Sequence, residues 1–365
     1  MVLAIIITFI SLIGLLILHE FGHFILAKKF GVKVEEFGIG YPPRIFGKKF
    51  GETIYSINLL PFGAFVKILG EDAQRPEEER TDDPRSFNKK PIWQRASILV
   101  AGCISFWIVS AVLLSVVMNL GVPRAIGDEV NQFLPSARIQ IVAVAPNSPA
   151  ETAGLRVGDT IKEAIIDGEK FEIQKVEEII DLTAANKGKE IILIIERGSK
   201  IFETKLIPRI SPPEGEGPMG VALTRTIIES YPWYQAPLKG IQATGNLTIL
   251  IIQGWFGALQ NLVKGQPTGV QVMGPVGIFS LTSQISQLGA NYFLQFIATL
   301  SIYIAIFNLL PIPAVDGGRL LFLGIEAVRK KPIPQRVEQK INAVFFSILI
   351  VLMIWVTIKD IARLF

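Results

Sequence analysis

Histidine and cysteine are nearly absent. Among 365 residues there are two histidines, His19 and His23, and one cysteine, Cys103. A single cysteine excludes a disulfide scaffold. Charge is also scarce: 19% of residues are charged, against roughly a quarter in soluble domains. Half are hydrophobic and the mean hydropathy is +0.45, which excludes a disordered chain and points to a membrane protein. Neither sign of charge dominates, since 36 basic residues against 32 acidic ones leave a net +4. That small excess argues against a nucleic-acid partner and fits basic cytoplasmic loops.

Long apolar runs are what the chain does have. Residues Val2 to Leu18 carry no charge, and the run resumes after Glu20 to end at Lys28-Lys29. A helix over 1–27 is about 40 Å long, enough to cross a bilayer. A secretory signal peptide fits poorly, because no basic residue precedes the run and no small-residue cleavage site follows it. Further transmembrane helices are expected over 95–120, over 293–318 with an interruption near its end, and over 340–360. The stretch 238–263, inside a region 219–292, carries Lys239, Gln242, Asn246, Gln253, Gln260 and Asn261, and reads as an amphipathic segment on the membrane surface. Loop 28–93 holds twelve Lys and Arg residues and loop 314–340 holds six, which places both in the cytoplasm and 121–292 outside. The mixed-charge run Glu71 to Arg85 reads as a solvated cytoplasmic loop without further function.

Both histidines fall within the first span, in L-H-E-F-G-H-F. Residues four apart share one helix face, so both imidazoles can reach one ion, and Glu20 lies beside that face to polarise a metal-bound water. His19 is nine residues before Lys28, roughly 13 Å into the span. Burying such groups in a membrane costs a few kcal/mol each unless they are partnered. A catalytic zinc usually needs a third protein ligand, which must be a carboxylate or the one thiol. Asp316 is the candidate, in F-N-L-L-P-I-P-A-V-D-G-G, residues 307–318. Pro311 and Pro313 interrupt the helix, and Gly317-Gly318 let the backbone turn close to the site. A broken helix at membrane depth is tolerated only around a cavity or buried site.

These two motifs, in this order, resemble the site-2 protease family of intramembrane zinc metalloproteases, closest to the bacterial regulator-of-sigma-E branch, and the likeness covers nearly the whole chain. The resemblance implies that His19, His23 and Asp316 bind one Zn²⁺, that Glu20 activates water, and that Asn308 holds substrate backbone. Segments 37–46, 55–58 and 63–68 alternate like strands and resemble the family's membrane-associated β-hairpin, which presents substrate as an extended strand. M-G-P-V-G-I, 273–278, also matches the family. One departure lies in the second span, where the family's A-G-P-x-x-N-F is replaced by a run with Cys103 and Phe106 in place of proline and asparagine.

Residues 141–159, I-V-A-V-A-P-N-S-P-A-E-T-A-G-L-R-V-G-D, resemble a PDZ domain of the bacterial protease type, expected as a single copy over about 125–210 with Pro212 to Pro218 as a linker. Such a domain binds peptides by strand addition, or filters out substrates with bulky outside domains as the family does. The expected architecture is therefore a polytopic α-helical membrane protein of about four transmembrane helices, with a membrane-associated β-hairpin and one extracytoplasmic α+β PDZ domain. The expected activity is zinc-dependent hydrolysis within the transmembrane segment of single-pass proteins, such as anti-sigma factors or signal-peptide remnants, in the bacterial inner membrane. Membrane lipid and a PDZ peptide ligand are the other expected partners. Two other classes are a non-proteolytic PDZ adaptor with a structural metal, which would not need Glu20, and a metal transporter, which would need ligands on more than two spans.

Overall fold

The computed structural model describes residues 2–71, 83–127, 137–213, 215–266 and 272–362, so most of the mixed-charge run lies outside it. Among the described residues, four helices are long and apolar enough to cross a membrane: α1 (Val2–Lys29), α2 (Ile92–Leu120), α7 (Ala290–Leu309) and α9 (Gln335–Ala362). The expected third span ends earlier than residue 318. Its helix stops at Leu309, because Pro311 and Pro313 cannot continue it, and a separate helix α8 (Asp316–Arg329) follows.

The chain divides into two compact units, a helical one (Met1–Leu114, Gly240–Ser283, Phe296–Phe365) and a sheet one (Ser115–Lys239, Gln284–Gln295). In the helical unit, α1 and α2 approach through small residues: a Cβ added at Gly22 would lie 2.5 Å from the Ala101 carbonyl oxygen. After α1 the chain forms two long strands, β1 (Val34–Phe50) and β2 (Thr53–Ile68). Their register is folded over: residues 36–39 pair with 64–67 and also with 54–57, which in turn pair with 46–49. Val34 and Ile68 are buried against Ala27 of α1, Ile98 and Leu99 of α2 and Leu323 of α8, so one apolar cluster ties the hairpin and α8 to the two leading helices. Arg95, 7% exposed, donates to both carboxylate oxygens of Glu326, at 3.1 and 2.5 Å, and clamps α8 to α2.

Helix α5 (Ala236–Val263) is not among the four candidate spans. Leu247, Ile251 and Trp255 pack on Trp107 of α2 and on Ile302 and Ile306 of α7, and the Trp107 indole donates to Thr248 Oγ1 at 3.1 Å. One face of the segment is thus buried within the helical unit. Helix α6 (Pro275–Ser286) is capped from far along the chain: Asp360, near the end of α9, accepts from the Gly274 and Gly277 N–H groups at 2.8 and 2.7 Å. A carboxylate at a helix N-terminus satisfies its free donors, which accounts for the M-G-P-V-G run.

The sheet unit contains β3 (Val122–Ile126), β4 (Arg138–Val144), helix α3 (Pro149–Thr152), β5 (Thr160–Ile166), β6 (Glu169–Glu172), helix α4 (Val176–Ala185), β7 (Ile191–Arg197), β8 (Lys200–Leu206) and β9 (Val221–Glu229). The strand order is β3-β9-β4-β5-β7-β8, with β6 against β5. Alternation sets the core: Ile191, Leu193 and Ile195 of β7 are fully buried beside Ile139, Ile141, Ile161 and Ile179. In S-P-A-E, Ser148 caps α3 by accepting from the Glu151 N–H at 3.1 Å. The expected boundary at 210 is too short. The Pro-rich stretch is a loop inside the domain, closed by Arg209 N–H donating to the Pro218 carbonyl, and β9 then enters the sheet between β3 and β4. The unit's core polar contact is Asp159, fully buried, whose two oxygens accept from Arg197 Nε and Nη2 at 2.6 and 2.7 Å. Asp159→Ala removes the carboxylate from that guanidinium, 15% exposed, leaving it, among the described residues, only the Gly154 carbonyl as a hydrogen-bond acceptor, and should destabilise the sheet unit by about 3 kcal/mol. Limited proteolysis of the intact protein, reading cleavage between 137 and 229, checks this.

Candidate metal centre

The histidines project from one face of α1, as their spacing requires, and both are buried. Their Nε2 atoms are 3.2 Å apart, and each faces Asp316 Oδ2, at 3.2 Å from His19 and 3.4 Å from His23. A tetrahedral ion bound at about 2.0–2.1 Å has ligand-to-ligand edges of about 3.3–3.4 Å, so the three donor atoms stand where zinc ligands would stand. Among the described residues this is the group of three His, Cys or carboxylate donors that gathers within 4.8 Å. Cys103, the other possible third ligand, is not part of it. Its thiol lies 3.9 Å from Asp316 Oδ2, as a donor to that carboxylate.

Local sequence explains why Asp316 arrives there. The chain between α7 and α8 folds back so tightly that a Cβ on Gly317 would strike the Leu310 carbonyl and one on Gly318 the Ile312 carbonyl. Ala314 has a left-handed φ of 80°, and its N–H donates to Asn342 Oδ1 of α9 at 3.2 Å. Asp316 is the first residue of α8, where the helix dipole favours a carboxylate. Gly102 is needed as well: a Cβ there would collide with His23 Nε2 and crowd His19.

The two imidazoles are held differently. His23 Nδ1 is 2.8 Å from the Ile98 carbonyl, to which it donates, so Nε2 is the nitrogen turned toward His19 and Asp316. His19 Nδ1 is buried and has no hydrogen-bond partner among the described residues, and its ring stacks on Phe106 with centroids 4.8 Å apart. Glu20 lies beside the donors, and one of its oxygens accepts from the Val66 N–H of β2 at 3.1 Å. It lines a cavity of about 1020 Å³ with His23, Asp316, Tyr41, Arg319 and the stretch from Ala64 to Ile68. The structure therefore brings Glu20, His19, His23 and Asp316 together. It does not bring Asn308, whose amide donates to Ile304 O within its own helix at 3.1 Å and which does not line the cavity.

Sequence reasoning missed the groups that hold this geometry. The Arg95–Glu326 pair, Asn342 and Asp360 had one available signal: polar residues inside or at the ends of apolar runs, each of which needs a partner.

Over residues 7–352 the chain matches the model of peptidase family M50, the site-2 proteases, and it belongs to that family. It is an intramembrane zinc metalloprotease and a multi-pass membrane protein. A protein of Clostridium perfringens assigned as a zinc metalloprotease is 37% identical over 351 residues, covering 95% of both chains. The regulator of sigma-W protease RasP of Bacillus subtilis is 30% identical, with 99% of both chains covered. The zinc metalloprotease RasP of Oceanobacillus iheyensis is likewise 30% identical, with 99% of both covered. Among solved structures, the PDZ domain of an SdrC-like protein from Listeria monocytogenes is 23% identical over 23% of this chain and 85% of that one, with a TM-score of 0.20, too low to define the fold.

Proposed function

We propose that His19, His23 and Asp316 are the zinc ligands and that Glu20 is the general base of peptide-bond hydrolysis within the membrane. The observation that carries this is the set of three donor atoms 3.2 to 3.4 Å apart with Glu20 beside them. When bound, zinc supplies Lewis acidity toward a water and a carbonyl oxygen. Glu20 takes the proton of the attacking water and returns it to the leaving amine. The Val66 N–H holds the carboxylate toward the cavity until substrate enters. Residues 64–68 form a strand edge along that cavity, suited to pairing with an extended substrate segment. The role for Asn308 as a substrate-backbone contact rests on the family resemblance and requires its amide to leave Ile304 O.

Substrates of this reading are single-pass membrane proteins, cut after a first cleavage outside. The name of the Bacillus subtilis relative, a regulator of sigma-W, supports anti-sigma factors as the class. The charge asymmetry of the loops supports an inner-membrane topology with the hairpin in the cytoplasm and the sheet unit outside as a PDZ domain. Exposed Ile45, Phe46, Phe50 and Phe62 support contact of the hairpin with lipid.

The sheet unit acts in this reading as a size filter, and peptide capture in a PDZ groove is the competing use. Val122 and Glu229 are register partners, so excision of 122–229 leaves adjacent ends that a short Gly/Ser linker joins. The deleted enzyme is expected to cleave pre-trimmed substrate at close to the full-length rate and to gain cleavage of one bearing a bulky outside domain. Two substrates differing only in that domain, assayed in cells, test this. Continued rejection of the bulky one, with the trimmed one still cut, overturns the filter.

A further inference from the structure

His19 and His23 differ in what stands behind them. A ligating imidazole is normally oriented by a hydrogen bond to its second nitrogen, and loss of that partner costs roughly 10- to 100-fold in metal affinity. His23 has such a bond, to the Ile98 carbonyl at 2.8 Å. His19 has none: its Nδ1 is buried without a partner among the described residues. What meets the His19 ring is the face of Phe106, at 4.8 Å between centroids and 20° between planes. Phe106 is fully buried, and its own backbone is pinned, since its carbonyl accepts from Ser301 Oγ of α7 at 2.8 Å. The ring thus stands on a held stretch of backbone in a fully buried position.

We propose that Phe106 is the positioning residue of His19, with ring stacking replacing the missing hydrogen bond as the contact that aims Nε2 at the metal. This rests on the reading of His19 as a zinc ligand. Two physical effects support it. A near-parallel ring at 4.8 Å and 20°, together with the His23 ring at 4.6 Å and 85°, restricts rotation about the Cβ–Cγ bond, so the plane containing the Nε2 lone pair is held without a polar partner. In addition, an imidazole that donates its lone pair to a cation becomes more positive, and the negative face of a phenyl ring attracts it more in that state than in the free one. Phe106 therefore favours the metal-bound form of His19 over the metal-free form. A buried apolar side chain of another shape would fill the space and supply neither effect.

The test is zinc retention by the full-length protein in detergent, read as the rate of zinc transfer to a chromogenic chelator. Phe106→Leu keeps an apolar side chain, smaller than phenylalanine, and removes the ring, and is expected to release zinc about tenfold faster. Phe106→Tyr keeps the ring and should restore slow release. Leu114→Val, a buried change two turns along the same helix, should release zinc at the unmodified rate. His19→Ala should fail to retain zinc. Slow release from Phe106→Leu, while His19→Ala loses its metal, overturns the stacking role. Fast release from Leu114→Val as well overturns it in favour of general loosening of α2. Retention of zinc by His19→Ala overturns the ligand assignment itself, a different failure from the other two.

Discussion

Glu20→Gln is expected to keep its zinc and lose cleavage by about 10²- to 10⁴-fold. The side chain lines the cavity beside His23 and Asp316, and the amide preserves its size and its ability to accept from the Val66 N–H. It cannot take a proton from water. None of the three donor atoms is altered, so metal content should match the unmodified protein. Zinc content by elemental analysis and cleavage of a single-pass membrane substrate in detergent are the two readings. Cleavage at the unmodified rate would sink the assignment of the base. A variant that binds but does not cut also traps its substrate, so proteins that copurify with it through their transmembrane segments identify the class of target.

Asp316→Ala should abolish both zinc occupancy and activity. Its carboxylate is the donor facing both histidines, at 3.2 and 3.4 Å, and the chain has no third histidine to replace it. Loss of an outer hydrogen-bond partner costs roughly 10- to 100-fold in metal affinity, and removal of a ligand itself should cost more. Cys103 sits near the vacated position but lies outside the donor group, so it is not expected to rescue binding. Dialysis against a chelator followed by metal analysis gives the result. A variant with full zinc would move the third ligand elsewhere. Glu326→Gln provides a contrast, because it weakens the clamp between α2 and α8 while leaving all three donors intact.

Much of the site was legible in the sequence because its signals are local. Two histidines four apart on an uncharged span must share a helix face, whatever surrounds them. Pro311 and Pro313 must end α7, and Gly317-Gly318 allow the close backbone approach that the structure realises against the Leu310 and Ile312 carbonyls. The spans were equally legible, since twenty apolar residues have few other uses. Their observed limits differ from expectation mainly where a proline or a cap, rather than hydropathy, sets the end.

Other features depended on partners remote in the chain. By sequence, residues 221–229 read as the beginning of a membrane-surface region because the Pro/Gly-rich stretch before them has the composition of a linker; only pairing with β3 and β4, about a hundred residues earlier, makes them a sheet strand. The family resemblance assigns Asn308 to the substrate backbone, whereas its rotamer, set by an acceptor four residues back, keeps it out of the cavity. The Arg95–Glu326 clamp, 231 residues apart, and the Asp360 cap on α6 show locally only as polar residues in or beside apolar runs, with nothing to name their partners. The amino-acid sequence by itself determined which atoms could bind zinc and which helices carry them, because periodicity and chain stiffness act over a few residues. Tertiary structure alone decided that Asp316 closes the triangle, that Val66 holds Glu20 and that Phe106 backs His19. Those contacts exist only where packing brings distant segments within a few ångströms.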